Sequence, residues 1–427
     1  MDKTKSTLFI WLFELPASPT GSRSKPMRMN KSKNKILIGD NYSVMNSHIM
    51  DEFMGRVRMI YIDPPYNTGN PMSYSDKSNS EDWLQNISLR ISASRKFLTE
   101  DGFIFISIDD NEYAYLKVEC DQIFGKENFV GTFITNQSKR SNSKLINIVH
   151  EYVICYAKNK KMCKTLKMKR MDIPEDAAMI QRLTTAVKQD FNMFGIETAT
   201  DTLTNIIQIE CKNRNITWLK NYNNVDENGD IYFAMDLSTP GKPREVNIPE
   251  INLHLEPLPS RGWSSDNKFK ELHQMNLLAF KGNRPYEKHY LRDAEDNVSS
   301  ILPFYSRQGK HNLIQLGIRD IFDTPKPVEL IKFLIRVSGC SQDYVMDFYA
   351  GSGTTAQAVY EINNEDNKAN SYILIQRKES VKPDSLVFSA CKNYGIPPFI
   401  SDILKFRIDR FLNINKMNDN YKIFEIE

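Results

Sequence analysis

Long hydrophobic runs are missing from this chain. The apolar patch from Phe9 to Phe13 is too short to span a bilayer and has Glu14 and Pro16 beside it, so neither a membrane anchor nor a signal peptide is expected. Cysteine is sparse as well: six thiols, at 120, 155, 163, 211, 340 and 391, show no C-x-x-C spacing and no accompanying histidine pattern. That argues against a disulfide framework or a metal site and for a reduced, cytoplasmic protein. Excess charge of one sign is also lacking. The formal net charge is +3 over 427 residues, so any surface for a polyanion has to be built locally. Lys158 to Arg170 is the densest candidate, with seven basic residues and no acid. Lys160, Lys161, Lys167 and Lys169 within it, and Lys139 and Arg140 ahead of it, are candidate phosphate contacts, a solvated face being the equal alternative.

Against these absences stands one informative tetrapeptide, Asp63-Pro64-Pro65-Tyr66. It follows Val57-Arg58-Met59-Ile60-Tyr61-Ile62, an apolar run that reads as a buried parallel strand, and so places a carboxylate where open α/β sheets bind ligands. Two prolines remove two backbone donors and end the strand, leaving carbonyls to accept hydrogen bonds. A carboxylate, a carbonyl and the flat face of Tyr66 together suit a planar amino-bearing heterocycle. A chance turn is the competing reading for the tetrapeptide alone.

Far downstream, Tyr344 to Tyr349 reads as a strand, Ala350-Gly351-Ser352-Gly353-Thr354-Thr355 as a glycine turn, and Ala356 to Asn363 as a helix. Thr354-Thr355 stand where a phosphate-cradling loop needs Lys-Ser/Thr, which argues against a nucleoside triphosphate. A nicotinamide dinucleotide stays open, with Glu379 after the strand Tyr372 to Gln376 as its ribose acid, although that spacing is long. S-adenosylmethionine fits better, since its amino-acid end suits the turn and its ribose diol suits a carboxylate.

With both motifs in view, the chain resembles the amino-methyltransferases of DNA in their circularly permuted β class. The resemblance extends to Ile36 through Asn41, Tyr61 through Gly69, Asp101 through Asn111, Phe124 through Val130 and Phe322 through Ile331, and over these segments the chain is similar to the Mod subunits of type III restriction-modification systems. It implies a Rossmann-like α/β sheet, S-adenosyl-L-methionine as cofactor and adenine N6 in double-stranded DNA as target. Asp63, Pro64, Pro65 and Tyr66 would be catalytic. Asp40, Lys326, Asp347, Phe348, Ala350, Gly351, Ser352, Gly353, Thr354, Thr355 and Glu379 would hold the cofactor, with Lys326 on the methionine-carboxylate side and Asp40 either at the cofactor's adenine or simply capping a helix. Gln376-Arg377-Lys378-Glu379 departs from the family pattern at the ribose acid. The stop at Glu427, where Mod subunits continue, leaves a Res partner and a solitary enzyme equally open. A homodimer is expected by resemblance alone. Cytosine-N4 methylation and a non-catalytic DNA-binding subunit are the alternatives.

The organisation expected is a split catalytic domain: a loosely ordered leader at 1–34, a catalytic half at 35–157, an inserted target-recognition domain at 158–300 and a cofactor half at 301–427. Ser78-x-x-Glu81 reads as a capping box for a helix carrying Leu84, Ile87, Ile91 and Leu98, closed by Gly102. Phe103 to Ile108 and Glu151 to Ala157 read as buried strands, with a helix over Asn111 to Phe124 between them. From Lys158 to about Ser300 regular patterning lapses into short mixed segments marked by Asn228-Gly229 and Pro240-Gly241.

Overall fold

The computed structural model describes residues 33–68, 73, 79–137, 145–164, 166–417 and 421–426. Most of the expected leader, together with Ser78, Lys139 and Arg140, lies outside them. Among the described residues one central sheet holds β1 (Lys35–Ile38), β2 (Val57–Ile62), β3 (Leu98–Ile108), β4 (Phe129–Asn136), β5 (His150–Ala157), β6 (Ile301–Tyr305), β7 (Tyr344–Asp347), β8 (Ser371–Gln376) and β9 (Lys422–Glu425). Their spatial order is β6-β4-β5-β3-β2-β7-β8-β1-β9. Each pairing is parallel except the two made by β5. The other strands therefore end along one carboxyl edge, and there β5 begins.

Both faces of the sheet are covered, which is why its central strands read as continuous apolar runs. Met59 and Tyr61 of β2 pack into one core with helices α6 (Val328–Val337), α7 (Thr354–Glu365) and α8 (Ile400–Ile414). Val57, Ile60 and Ile62 pack into the other, under α1 (Asn41–Met45), α2 (Ser80–Ser94) and α3 (Tyr113–Phe124). The period of two along a strand thus splits one sequence run between two cores. No helix among the described residues is long and apolar enough to cross a membrane.

Two expectations are corrected. The residue capping α2 is Asn79, whose side chain accepts from the Glu81 N–H, and the helix ends at Ser94. A short 3-10 turn, Arg95–Phe97, then leads into β3, so Leu98 and Gly102 belong to the strand. Leu98 shares a core with Ile87 and Ile91, and burial alone gave it a helical period by coincidence. The irregular patterning read after Lys158 also overlooked a helical hairpin, α4 (Pro174–Phe194) and α5 (Ile196–Arg214), turned by Gly195 at φ 88°. Met179, Leu183 and Val187 on α4 meet Ala199, Leu203, Ile207 and Cys211 on α5 in a core separate from the sheet. Beyond it, strands at 224–225, 231–236, 278–281 and 284–290 form a four-stranded antiparallel sheet. Strand 167–169 pairs with 295–297, and residues 301–305 then return to the central sheet as β6.

Candidate active site

Asp63 leaves the carboxyl end of β2, and Asp347 ends the neighbouring β7, so the two motifs far apart in sequence become adjacent. One cleft of about 680 Å³ is lined by Asp63, Pro65 and Lys326 and also by Ala350, Gly351, Ser352, Thr354 and Thr355. Among the described residues the Pro64 carbonyl has no hydrogen-bond donor, whereas the Pro65 carbonyl accepts from the Trp83 indole at 2.8 Å. Past Tyr66, Asn67 takes a left-handed φ of 60° and donates to the buried Glu112 at 2.8 Å, which fixes where the loop turns.

Lys326 is held among charged and aromatic partners. Its ammonium donates to Glu151 Oε2 at 2.6 Å and to the Tyr66 hydroxyl at 2.5 Å, lies 3.3 Å from Asp63 Oδ1, and sits 4.8 Å from the centre of the Tyr66 ring. Its charge is engaged by the Asp63 side of the cleft, which the glycine turn also lines. Burial works to lower its pKa, but the charges of Asp63 and Glu151 outweigh this and hold it above the ordinary lysine value. For Glu151 burial raises the pKa, yet Lys326 and the bonds from Gln137 and Tyr66 bring it below the ordinary value. Asp63 stays raised, because burial and the Glu151 charge exceed the pull of Lys326.

The glycine turn follows from backbone geometry. Gly351 and Gly353 take φ of 52° and 83°, which side chains disfavour, and the Gly351 N–H donates to Gln376 Oε1 at 2.8 Å. Asp347 is buried and holds the turn's entry, accepting from the Tyr349 N–H at 3.0 Å and the Thr355 hydroxyl at 2.6 Å. Burial pushes its pKa up to about 7. The Phe348 side chain packs into the core, and its carbonyl accepts from Asn41 at 2.8 Å.

A second cleft of about 1110 Å³ is lined by Asp40, Asn41, Trp83, Phe348, Tyr349 and Glu379, among others. Tyr349, Gln376 and Glu379 line both clefts. Asp40 caps α1 by accepting from the Ser43 N–H and also binds Arg90 at 2.8 Å, so its capping role and its place at the cleft hold together.

The basic run lies elsewhere. β5 ends at Ala157 opposite Phe103, at the amino end of β3, and Lys160 donates to the Phe129 carbonyl at the start of β4. Lys167 and Lys169 line a surface groove with Arg336 and Asp366, at the far ends of α6 and α7. Lys160, Lys161, Lys167 and Lys169 therefore sit at the sheet edge opposite Asp63. Any phosphate contact made by these lysines would therefore lie away from the cleft. Of the inserted aromatics, Trp218 stacks against Arg170 with 3.8 Å to its ring centre, and Trp263 is buried and donates to the Glu256 carbonyl.

Sequence reasoning missed Glu151, although an acid in the otherwise apolar run after His150 is the signal of a buried, partnered charge. It missed Tyr349 and Gln376 because nothing in their spacing marks a cleft wall.

A parallel α/β sheet with a carboxylate loop and a glycine turn facing one cleft defines a Rossmann-like ligand-binding protein. The chain belongs to the DNA methylase family, whose model matches residues 57–387. It is 27% identical to the Mod subunit of the type III restriction-modification enzyme EcoP15I of Escherichia coli, over 93% of this chain and 66% of that one. It is 26% identical to the type II methyltransferase M.KpnI of Klebsiella pneumoniae, over 93% and 92% of the two chains. The chain spans 66% and 57% of the lengths of the EcoP15I and StyLTI Mod subunits. Among solved structures it is similar to the cytosine-N4-specific PvuII DNA methyltransferase, with 10% identity, 92% and 96% coverage and a TM-score of 0.40.

Proposed function

We propose that this protein transfers a methyl group from S-adenosyl-L-methionine to the N6 amino group of adenine in double-stranded DNA. The observation that carries the reading is the single cleft with Asp63 and Lys326 at one side and the Gly351–Thr355 turn at the other. The residues present fit the cofactor: left-handed Gly351 puts no side chain on the cleft wall, and the second cleft, which shares Tyr349 with the first, is lined by Asp40 and Glu379. The methionine portion would lie along Asp347, Ala350, Gly351 and Ser352, the ribose at Glu379 and the adenine near Asp40. When bound, S-adenosylmethionine supplies an electrophilic methyl on a sulfonium.

This chain's residues then act on the base. The Asp63 carboxylate and the Pro64 carbonyl accept the two N–H bonds of the amino group, drawing its lone pair out of the ring. Tyr66 offers its ring to the base, which leaves the duplex at a cost of roughly a few kcal/mol. Lys326, held by Glu151, opposes the rise that burial gives the Asp63 pKa. Holding the nucleophile in line is the main source of rate, and no covalent enzyme intermediate is required.

The reading carries further proposals. Residues 35–157 and 301–427 are the two halves of the catalytic domain, and 158–300 supply target recognition. A cytoplasmic setting suits the six free cysteines, five of them buried, and a homodimer is testable by light scattering. A Res-type partner can be sought by co-purification. Incubation with duplex DNA and methyl-tritiated cofactor, followed by nucleoside digestion, tests the main claim. N6-methyl-2′-deoxyadenosine is expected; N4-methyl-2′-deoxycytidine would correct the base, and no label in DNA would refute the activity.

A further inference from the structure

Helix α8 carries an arginine on its buried face. Ile400, Ile403, Leu404, Ile408 and Phe411 pack into the core, and Arg407 lies in the same stripe with 0% exposure. A buried guanidinium is tolerated only when its donors and its charge are compensated. The donors are: Nη1 bonds Ser352 Oγ at 2.8 Å and Thr354 Oγ1 at 2.7 Å, while Nε and Nη2 reach Gln357 Oε1 at 3.2 and 2.9 Å. All three partners are neutral. Glu361 and Glu329 act on Arg407 only through space, and burial brings its pKa down to about 9, which leaves it charged at neutral pH. Among the described residues this cation has bonds but no ion-pair partner.

The hydroxyls it binds are the second observation. Arginine can only donate, so Ser352 and Thr354 accept from it, and each must direct its own hydrogen elsewhere. Neither hydroxyl has an acceptor among the described residues, and both residues line the cleft. Gly353, which begins α7, makes no side-chain cap bond, so first-turn N–H groups add positive potential at the same place. The other cation of the cleft, Lys326, already lies between two carboxylates.

We propose that Arg407 is a positioning residue that makes the glycine turn selective for a carboxylate, that of the cofactor's amino-acid end, by committing the Ser352 and Thr354 hydroxyls to donate into the cleft. The proposal rests on S-adenosylmethionine being the cofactor. Its signature is discrimination between that molecule and its decarboxylated analogue, which keeps the sulfonium, the amine and the nucleoside.

Calorimetric titration of the full chain with both ligands provides the test. The unmodified protein should prefer S-adenosylmethionine. Arg407→Met should weaken it about tenfold or more while changing affinity for the analogue less than about threefold. Because a buried substitution can unfold the chain, the double variant Ser352→Ala, Thr354→Ala keeps Arg407 and removes only the relay; the same selective loss is expected, with circular dichroism confirming the fold. Equal weakening of both ligands, or an unmoved ratio in the folded variants, overturns the role given to Arg407. An unmodified protein that binds neither ligand overturns the cofactor reading itself, and this proposal with it.

Discussion

In the proposed reaction Asp63 accepts from an amino group best as a carboxylate, so the balance of charge around it would govern the chemistry. Asp63→Ala should reduce methyl transfer by about a hundredfold or more, the range typical of a lost catalytic group, with cofactor affinity nearly unchanged. Calorimetry beside a turnover assay checks this, and a parallel collapse of cofactor binding would mean the carboxylate was misassigned. The neighbours set the pH response. Burial raises the Asp63 pKa, Lys326 lowers it and Glu151 raises it, so activity should fall as pH drops through that raised value. Lys326→Met removes the lowering charge and should move the acid limb of kcat to higher pH. Glu151→Gln removes the raising charge and should move it lower. Acid limbs that coincide with the parent's in both variants would deny the coupling. Asp347 gives a stability effect of opposite sign to a salt-bridged acid. Its folded pKa of about 7 lies above the ordinary value of 3.8, so the native state binds more protons in that window, and stability should fall as pH rises from about 4 to about 7, then level off. Asp347→Asn should flatten this slope and raise Tm at pH 8, for a gain in stability on the order of a few kcal/mol. Thermal melts across pH would show it.

At the scale of elements, the glycine turn ties cofactor geometry to helix packing. A Cβ on Gly353 would lie 3.4 Å from Ile408 and 3.5 Å from Leu404, and its φ is 83°. Gly353→Val should therefore lose cofactor binding and also destabilise the fold by roughly 1–2 kcal/mol or more. Gly351→Val, which meets the Phe322 ring edge at 3.3 Å, should act on the cofactor with a smaller loss of Tm. Equal melting temperatures for the two variants would refute this division. The strands that carry the motifs were legible because burial on both faces writes continuous apolar runs: β2 has the bounds its sequence suggested, and β7 and β8 nearly so. The hairpin of α4 and α5 was not, because the turn residues from Asn228 onward dominate the pattern of the inserted region and mask the helical spacing of Met179, Leu183 and Val187. Pairwise charge contacts such as Lys326 with Glu151 are tertiary, joining residues 175 positions apart, and no local pattern encodes them. Arg407 had a faint signal, a charge on the apolar stripe of α8.

Over the whole molecule, the sheet's polarity decides where a duplex would lie under the proposed activity. A base entering the cleft would reach Asp63 from the carboxyl edge, where β2, β3 and β7 end and β5 begins. Lys160, Lys161, Lys167 and Lys169 lie at the other edge. Phosphate contacts release counterions and lower the dependence of log affinity on log salt by about 0.9 per contact when removed. Neutralising these four lysines together should therefore leave both DNA affinity and its salt slope close to the parent's, although these residues form the most basic run in the chain. The segment joining β4 to β5 leaves the sheet at Asn136 and returns at His150, on the same edge as Asp63. Its sequence includes Lys139, Arg140 and Lys144. Neutralising those three should flatten the salt slope and weaken cognate and random duplexes alike, since phosphate contacts position the protein without reading bases. Cofactor affinity should not move in either variant. Fluorescence anisotropy over a series of salt concentrations separates the two cases. A slope lost in the quadruple variant and kept in the triple would place the duplex across the amino edge and undo the route by which a base is supposed to reach Asp63.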